Sequence, residues 1–313
     1  MRVIRGRNAG FCMGVALALR TLDEAVAAAP DRVATLGAII HNPQVLAEYA
    51  ARGVRVLHSP DEAEPGMTVV VRAHGVPRGD EARLLDRGAH VVDATCPRVK
   101  KAQLSIAEAT AGGAELWLYG DVEHPEVRGL LSYAAGPKRV FASCADAARL
   151  PALLPAGGTA VLAAQTTQDR PMFDALRKDL LTAMDSRLHV LDTICDATRR
   201  QQQETLNLAD QVDALVVVGG RASGNTRRLV DIAAGRGVPA LLVESADDLE
   251  PAFFSSVSVV GLTAGASTPK SLIDAVEQRL KELCPREPRS DGGGNVLRAR
   301  ARMVRRTREP RRL

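Results

Sequence analysis

Three cysteines stand in matching settings far apart in the chain: "GFCMGV" around Cys12, "DATCPRVKK" around Cys96 and "DTICDATRR" around Cys195. In the latter two, an apolar run leads through an acidic residue to the thiol, and a basic helical stretch follows. Only five cysteines occur in 313 residues, with no local C-x-x-C pair. Scattered thiols in a reducing compartment are not a disulfide framework. If the three meet in space they suit a soft metal. Structural zinc wants a fourth protein ligand and local cysteine pairs. An iron–sulfur cluster normally takes four cysteines, so three leave one iron open to water or substrate. Cys144 and Cys284 fall outside the repeated setting and read as incidental thiols.

Polar turns recur at fixed distances from these cysteines. From Cys12 to His41 is 29 residues; from Cys96 to His124, and from Cys195 to Ser223, is 28. The first set of turns carries His41-Asn42, His124-Pro125-Glu126 and Ser223-Gly224-Asn225. A second set carries His74-Gly75, Gln165-Thr166-Thr167 and Ala266-Ser267. Small residues before a helix let backbone N–H groups approach an anion, and the helix dipole favours negative charge. Ser, Thr, Asn and His add donors, although no G-x-x-x-x-G-K-[ST] loop is present. The same residues are ordinary helix N-caps, and the two roles are compatible. Glu126 also starts a helix, where a carboxylate complements the dipole. It is nonetheless the one obvious acid in these turns, and so the candidate for proton transfer. His58, His90 and His189 lie away from the repeated positions and are assigned no chemistry.

The elements that must position these residues are short apolar runs alternating with helical patterns. "VATLGAII", "TVVVRAHG", "AELWLYG", "TAVLAAQTT", "ALVVVGG" and "VSVVGLTAG" read as buried strands, and "KKAQLSIAEATA" and "SLIDAVEQRLKELC" as helices. Such alternation predicts an α/β fold with largely parallel sheets. The strand–turn–helix–strand pattern from Ile39 returns from Leu118 and from Val217, so the chain reads as three diverged copies of one unit. The expected boundaries are 1–95, 96–192 and 193–284, with the N-terminal strand free to pair with the third unit. Ligands of open α/β sheets bind beyond the strands' carboxyl ends, and three such ends around a pseudo-threefold axis would converge on one cavity.

Hydrophobic residues make up 46% of the chain and aromatics 3%, which weighs against a stacking surface for single-stranded nucleic acid. Residues 289–313 hold nine arginines against Asp291 and Glu309, a net +7, so the remaining chain carries −3 of the overall +4. The tail, 285–313, is expected to be disordered. Nucleic acid is expected as a partner only through that tail. No run reaches the length of a membrane span and no signal-peptide pattern opens the chain, which points to the cytoplasm.

Together, "GFCMGV", the His41-Asn42 pair, "AHGV", "DATCP", "HPEV", "QTT", the Cys195 segment and "TAGAS" resemble the 4-hydroxy-3-methylbut-2-enyl diphosphate reductase family over residues 1 to 283. The resemblance implies three small α/β domains in a trefoil around one [4Fe–4S] cluster held by Cys12, Cys96 and Cys195. It implies the last step of the methylerythritol phosphate route to isoprenoids, with electrons from a ferredoxin- or flavodoxin-like donor. His41, His74, His124, Ser223, Asn225 and Ser267 would bind the diphosphate, with Gly224 beside them. Glu126 would relay protons to the leaving hydroxyl, supported by Thr166 and with His124 adjoining. The family often has Ser-Ser-Asn where this chain has Ser223-Gly224-Asn225, which removes one hydroxyl donor. The Arg-rich tail is not a general family feature. A hydro-lyase using the same open iron on a small phosphorylated substrate is the rival, and a requirement for reductant separates the two.

Overall fold

The computed structural model describes residues 1–283; Cys284 and the Arg-rich tail lie outside the described residues. Strand β1 (Arg2–Arg5) leads into helix α1 (Met13–Ala28). A first unit follows: β2 (Val33–Leu36), α2 (Pro43–Ala51), β3 (Arg55–Leu57), β4 (Thr68–Val71), α3 (Arg78–Asp86) and β5 (His90–Asp93). The second comprises α4 (Pro97–Thr110), β6 (Glu115–Tyr119), α5 (Pro125–Tyr133), β7 (Lys138–Phe141), the short α6 (Cys144–Ala147) and α7 (Leu150–Leu153), β8 (Ala160–Ala164), α8 (Arg170–Met184) and β9 (Leu188–Val190). The third comprises α9 (Asp196–Ala209), β10 (Ala214–Val218), α10 (Gly224–Gly235), β11 (Ala240–Val243), β12 (Val259–Ala264) and α11 (Lys270–Glu282).

These strands form three separate four-stranded sheets, ordered β3-β2-β4-β5, β7-β6-β8-β9 and β11-β10-β12-β1, with every pairing parallel. The orders are equivalent. In the third sheet β1 takes the place that β5 and β9 hold in the other two, with Arg2 opposite Val259 and Arg5 opposite Leu262. Parallel neighbours cannot be joined by a tight hairpin, so each pair requires a crossover, which the helices supply. The central strands read as unbroken apolar runs because helices cover both their faces. Leu116, Trp117 and Leu118 of β6, and Leu215, Val216 and Val217 of β10, are wholly buried.

Each sheet is accordingly flanked by two apolar clusters. The helices present one apolar stripe to them. Phe173, Leu176, Leu180 and Met184 of α8 recur at helical spacing and are buried, as are Ile273, Val276 and Leu280 of α11. Four of the chain's few aromatics, Trp117, Tyr119, Phe141 and Phe173, collect in the core of the second unit. Aliphatic residues fill the others almost alone. The resulting architecture has the three similar α/β units expected from the repeat, in the trefoil that the family resemblance implies.

Candidate active site

Cys12, Cys96 and Cys195 are the N-cap residues of α1, α4 and α9, and none makes a side-chain capping bond. Their thiols are left available. Their backbones are anchored alike: the N–H of Cys12 donates to Ala266 O at 3.1 Å, that of Cys96 to Ala73 O at 2.9 Å and that of Cys195 to Thr166 O at 2.9 Å. Each acceptor belongs to the turn after the third-formed strand of a unit, so the threefold repeat extends to single hydrogen bonds. All three thiols are half-buried and free. Burial pushes the Cys96 thiol up, against the opposing pull of the nearby backbone N–H groups of Arg98 and Val99.

Gly14 keeps the space between the thiols open. A Cβ there would overlap Cys96 Sγ and stand 3.9 Å from Cys12 Sγ. Three thiols at helix N-termini, converging on a space that a methyl group would fill, fit a thiolate-bound iron–sulfur group.

The polar turns meet on the inner side of this trio. His41, His74, His124, Glu126, Thr166, Ser223, Gly224, Asn225 and Ser267 all line one cavity together with the three cysteines. Asn42, His124 and Ser223 are the N-caps of α2, α5 and α10. The cap and ligand readings of these turns therefore coexist. The imidazoles of His41, His74 and His124 have centroids 4.5 to 5.5 Å apart. Burial lowers the pKa of all three, that of His124 to about 4, and neighbouring imidazoles and arginines add to the effect. Each is thereby biased toward its neutral form. His124 Nδ1 accepts from the N–H of Glu126 at 3.1 Å, so its proton sits on Nε2. His41 Nε2 and His74 Nδ1 are buried without partners. Their nitrogens lie close enough together to share one ion or one phosphate group. Buried polar atoms without partners are costly, and two of them facing one cavity fit the oxygens of an anionic ligand.

Glu126, 2% exposed, is the second residue of α5, and its carboxylate is bound by Thr166 from the turn after β8. Thr166 N–H donates to Oε1 at 2.6 Å and Thr166 Oγ1 donates to Oε2 at 3.0 Å. Burial raises its pKa to about 7, outweighing these two bonds, which favour the charged form.

Ser223 Oγ accepts from Thr226 N–H, leaving its own proton to donate. Ser267 Oγ donates to His41 O at 3.2 Å. Asn225 Nδ2 donates one proton to Gln201 Oε1 at 2.7 Å, which leaves its second proton to donate to a phosphate oxygen and Oδ1 without a partner. Gly224 sits in open space: a Cβ would approach only Gln165 Nε2 and His124 Cδ2, each at 4.0 Å.

Three contributors escaped the sequence reading. Gln201, in α9, orients Asn225 and itself donates to Ala264 O at 2.6 Å. Arg72 lies beside the imidazoles and depresses their pKa values, without a carboxylate partner among the described residues. Gly14 had a visible signal, a glycine two residues after a cysteine at a helix start; Gln201 and Arg72 had none. Cys144 is exposed, its Sγ 3.1 Å from Met172 Sδ, and does not line the cavity. His58, His90 and His189 are exposed.

Thiols on one side of a cavity and neutral donors with one protonatable acid on the other define a class, a soft-metal enzyme for a small anionic substrate. The chain belongs to the LytB protein family, whose model matches residues 3–281. Enzymes of this family are iron–sulfur proteins. Among curated relatives, the 4-hydroxy-3-methylbut-2-enyl diphosphate reductase of Desulfovibrio desulfuricans is 54% identical over 289 residues, covering 90% of this chain and 100% of the relative. The protein of the same name from Geobacter metallireducens is 41% identical over 285 residues, covering 90% of this chain and 98% of its own. A solved (E)-4-hydroxy-3-methyl-but-2-enyl diphosphate reductase, described as the terminal enzyme of the non-mevalonate pathway, is 35% identical. It covers 90% of this chain and 100% of its own, with a TM-score of 0.64. The Plasmodium falciparum reductase structure shares the fold at a TM-score of 0.85 with 24% identity, covering 92% of this chain and 89% of its own. No helix among the described residues is long and apolar enough to cross a membrane.

Proposed function

We propose that this chain is a 4-hydroxy-3-methylbut-2-enyl diphosphate reductase, which removes the allylic hydroxyl to yield isopentenyl and dimethylallyl diphosphate. In the balanced reaction a C–O bond breaks, a C–H bond forms and water leaves, with two electrons and two protons consumed. A ferredoxin- or flavodoxin-like protein supplies the electrons. The single observation that carries this reading is the shared cavity, in which three free thiols face polar-turn residues from all three units.

Cys12, Cys96 and Cys195 would hold one [4Fe–4S] cluster, which supplies electrons and an iron that lacks a protein thiolate. The chain's own residues do the rest. His124 donates from Nε2, and His41 and His74 offer buried, unpartnered nitrogens to the diphosphate. Ser223 donates through its hydroxyl, and Ser267 follows once its bond to His41 O opens. As neutral groups the imidazoles are not repelled from one another before binding, and they gain protons more readily once the anion is in place.

Glu126 holds its proton near neutral pH because burial disfavours the carboxylate. The two bonds from Thr166 fix its orientation toward the cavity shared with the thiols. A hydroxide is a poor leaving group unless protonated, and a positioned acid with a pKa near the working pH is suited to that transfer. The test is anaerobic turnover of the diphosphate substrate by iron-loaded protein with a chemical reductant. Formation of both isopentenyl products supports the reading. Dehydration that proceeds equally well without reductant would replace it with the hydro-lyase.

A further inference from the structure

The cysteine trio is open on two sides. Its inner side faces the histidines and Glu126. Its outer side faces a separate cavity of about 380 Å³, lined by the three cysteines and by Arg7, Phe11, Met13, Arg98 and Arg200. Two features of this outer rim are unusual for a surface that stays in water. Phe11 and Met13, the immediate neighbours of Cys12, are 39% and 65% exposed. Around the same cavity stand the exposed cations Arg7, Arg98 and Arg200, with Lys101 and Arg199 close by in sequence on the two helices that supply Arg98 and Arg200.

The rim's acids do not cancel this charge. Asp196 is shared by Arg98 at 3.4 Å and Arg199 at 3.5 Å. Glu204 accepts from the backbone N–H groups of Arg7 and Asn8, at 2.7 and 2.8 Å, rather than from the Arg7 guanidinium. No carboxylate pairs with Arg7, Lys101 or Arg200 among the described residues. The body of the chain is net −3, so a cationic patch here is a local concentration against the general sign. A patch of this kind steers an oppositely charged partner to one spot.

From these observations we infer that the outer rim, centred on Phe11 and Met13 and framed by Arg7, Arg98 and Arg200, is the docking surface for a small acidic protein carrying a one-electron centre. The inference rests on the reductase reading, which requires two electrons from outside. Two one-electron deliveries, with two protons, balance the loss of the hydroxyl as water. Entry through the outer face keeps the donor off the substrate side and puts it against the residues that flank the thiols. The proportions also fit: redox encounters bury little area, and a small apolar centre with a charged rim allows fast association and fast release.

The experiment uses full-length, iron-loaded protein prepared anaerobically and an acidic plant-type [2Fe–2S] ferredoxin as the probe. Binding is measured by calorimetry at low and at high salt. The paired substitution Arg7→Glu with Arg200→Glu is compared with Lys138→Glu, placed at the start of an edge strand and so at the opposite end of its sheet. Met13→Ser, which changes no charge, tests the apolar centre. Iron content and visible spectrum verify that each variant is folded and loaded. The expected result is about tenfold weaker binding at low salt for the arginine pair, with most of the salt dependence gone. Met13→Ser should also weaken binding, and Lys138→Glu should not. Turnover with reduced methyl viologen should be unchanged in the arginine pair, while ferredoxin-driven turnover falls. Equal binding by wild type and the arginine pair overturns the proposal, as does an equal loss in Lys138→Glu. It is also overturned if the rim proves, by sedimentation, to be covered by a second copy of the chain, or if RNA rather than ferredoxin is what the arginine pair loses. Binding without viologen-driven turnover would fail the reductase reading and leave the docking surface standing. Turnover without ferredoxin binding would do the reverse.

Discussion

Replacing Glu126 with Gln separates proton delivery from everything else the site does. The amide is nearly isosteric, and its oxygen can still accept the N–H of Thr166, now 2.6 Å from Oε1. The thiols are untouched, so iron content and the visible spectrum should be preserved. What is lost is a proton held on a carboxyl whose pKa burial has raised from 4.5 to about 7. General-acid assistance of this kind is worth about 10²–10⁴-fold, and turnover should fall within that range. The same burial predicts a stability effect. Between the two pKa values the folded chain binds the proton more tightly than the unfolded chain does. The contribution is therefore fully present below pH 4.5 and is lost as pH rises through 7, by about 3 kcal/mol in all. The amide of Glu126→Gln does not titrate, so the variant should lack this decline, and its unfolding temperature relative to wild type should be higher at pH 8 than at pH 5. The assays are single-turnover kinetics under reductant excess and thermal unfolding across that pH range. In the wild type the chemical step should slow above about pH 7 as the carboxyl loses its proton. Near-wild-type turnover of the variant when chemistry limits the rate would refute the proton-transfer role. Parallel stability curves for the two proteins would refute the buried-carboxyl argument behind it.

Cys195→Ser should lose most bound iron while Cys144→Ser keeps it, because a hydroxyl is a poor ligand for a soft centre and Cys144 lies outside the cavity; iron and sulfide analysis decides. Gly14→Ala should also lower iron content, since its Cβ would overlap Cys96 Sγ, and retention of a full cluster would show that α1 shifts freely. Diphosphate binding should take up protons and tighten as pH falls toward 6, because an anion raises the depressed pKa values of His41, His74 and His124; calorimetry in buffers of different ionisation heat measures the uptake.

The repeat was the most legible feature because it wrote the same constraint three times. A buried parallel strand needs an apolar run, and a turn before a helix needs small or polar residues, so the units could be aligned by their turns alone. Cysteine in one equivalent slot of each unit then implied convergence. The side chains that tune the site were harder to see. Gln201 is an ordinary helical residue in sequence, and its role depends on Asn225 arriving from another helix. Arg72 follows a buried strand and resembles any arginine beside a turn; its effect on three histidines exists only once those turns meet. Glu126 was singled out by position, but its neutral form near pH 7 depends on complete burial against Thr166, which no local pattern encodes.

The three units agree where the site needs symmetry and differ where it needs direction. Each supplies one N-cap cysteine, and each cysteine N–H is held by the carbonyl at an equivalent turn, Ala266, Ala73 or Thr166. A compact group bound by three thiols is served by such equivalence. The substrate has a charged end and a hydroxyl end, and equivalent turns could not distinguish them. The first and third units provide donors without acids: His41, His74, Ser223 and Ser267. Only the second adds a carboxylate, and Glu126 is bound to Thr166, the residue whose carbonyl anchors Cys195. Thr166 thus ties the acid Glu126 and the thiol of Cys195 to one turn. Glu126 is placed relative to Cys195 by covalent structure and its two hydrogen bonds from Thr166.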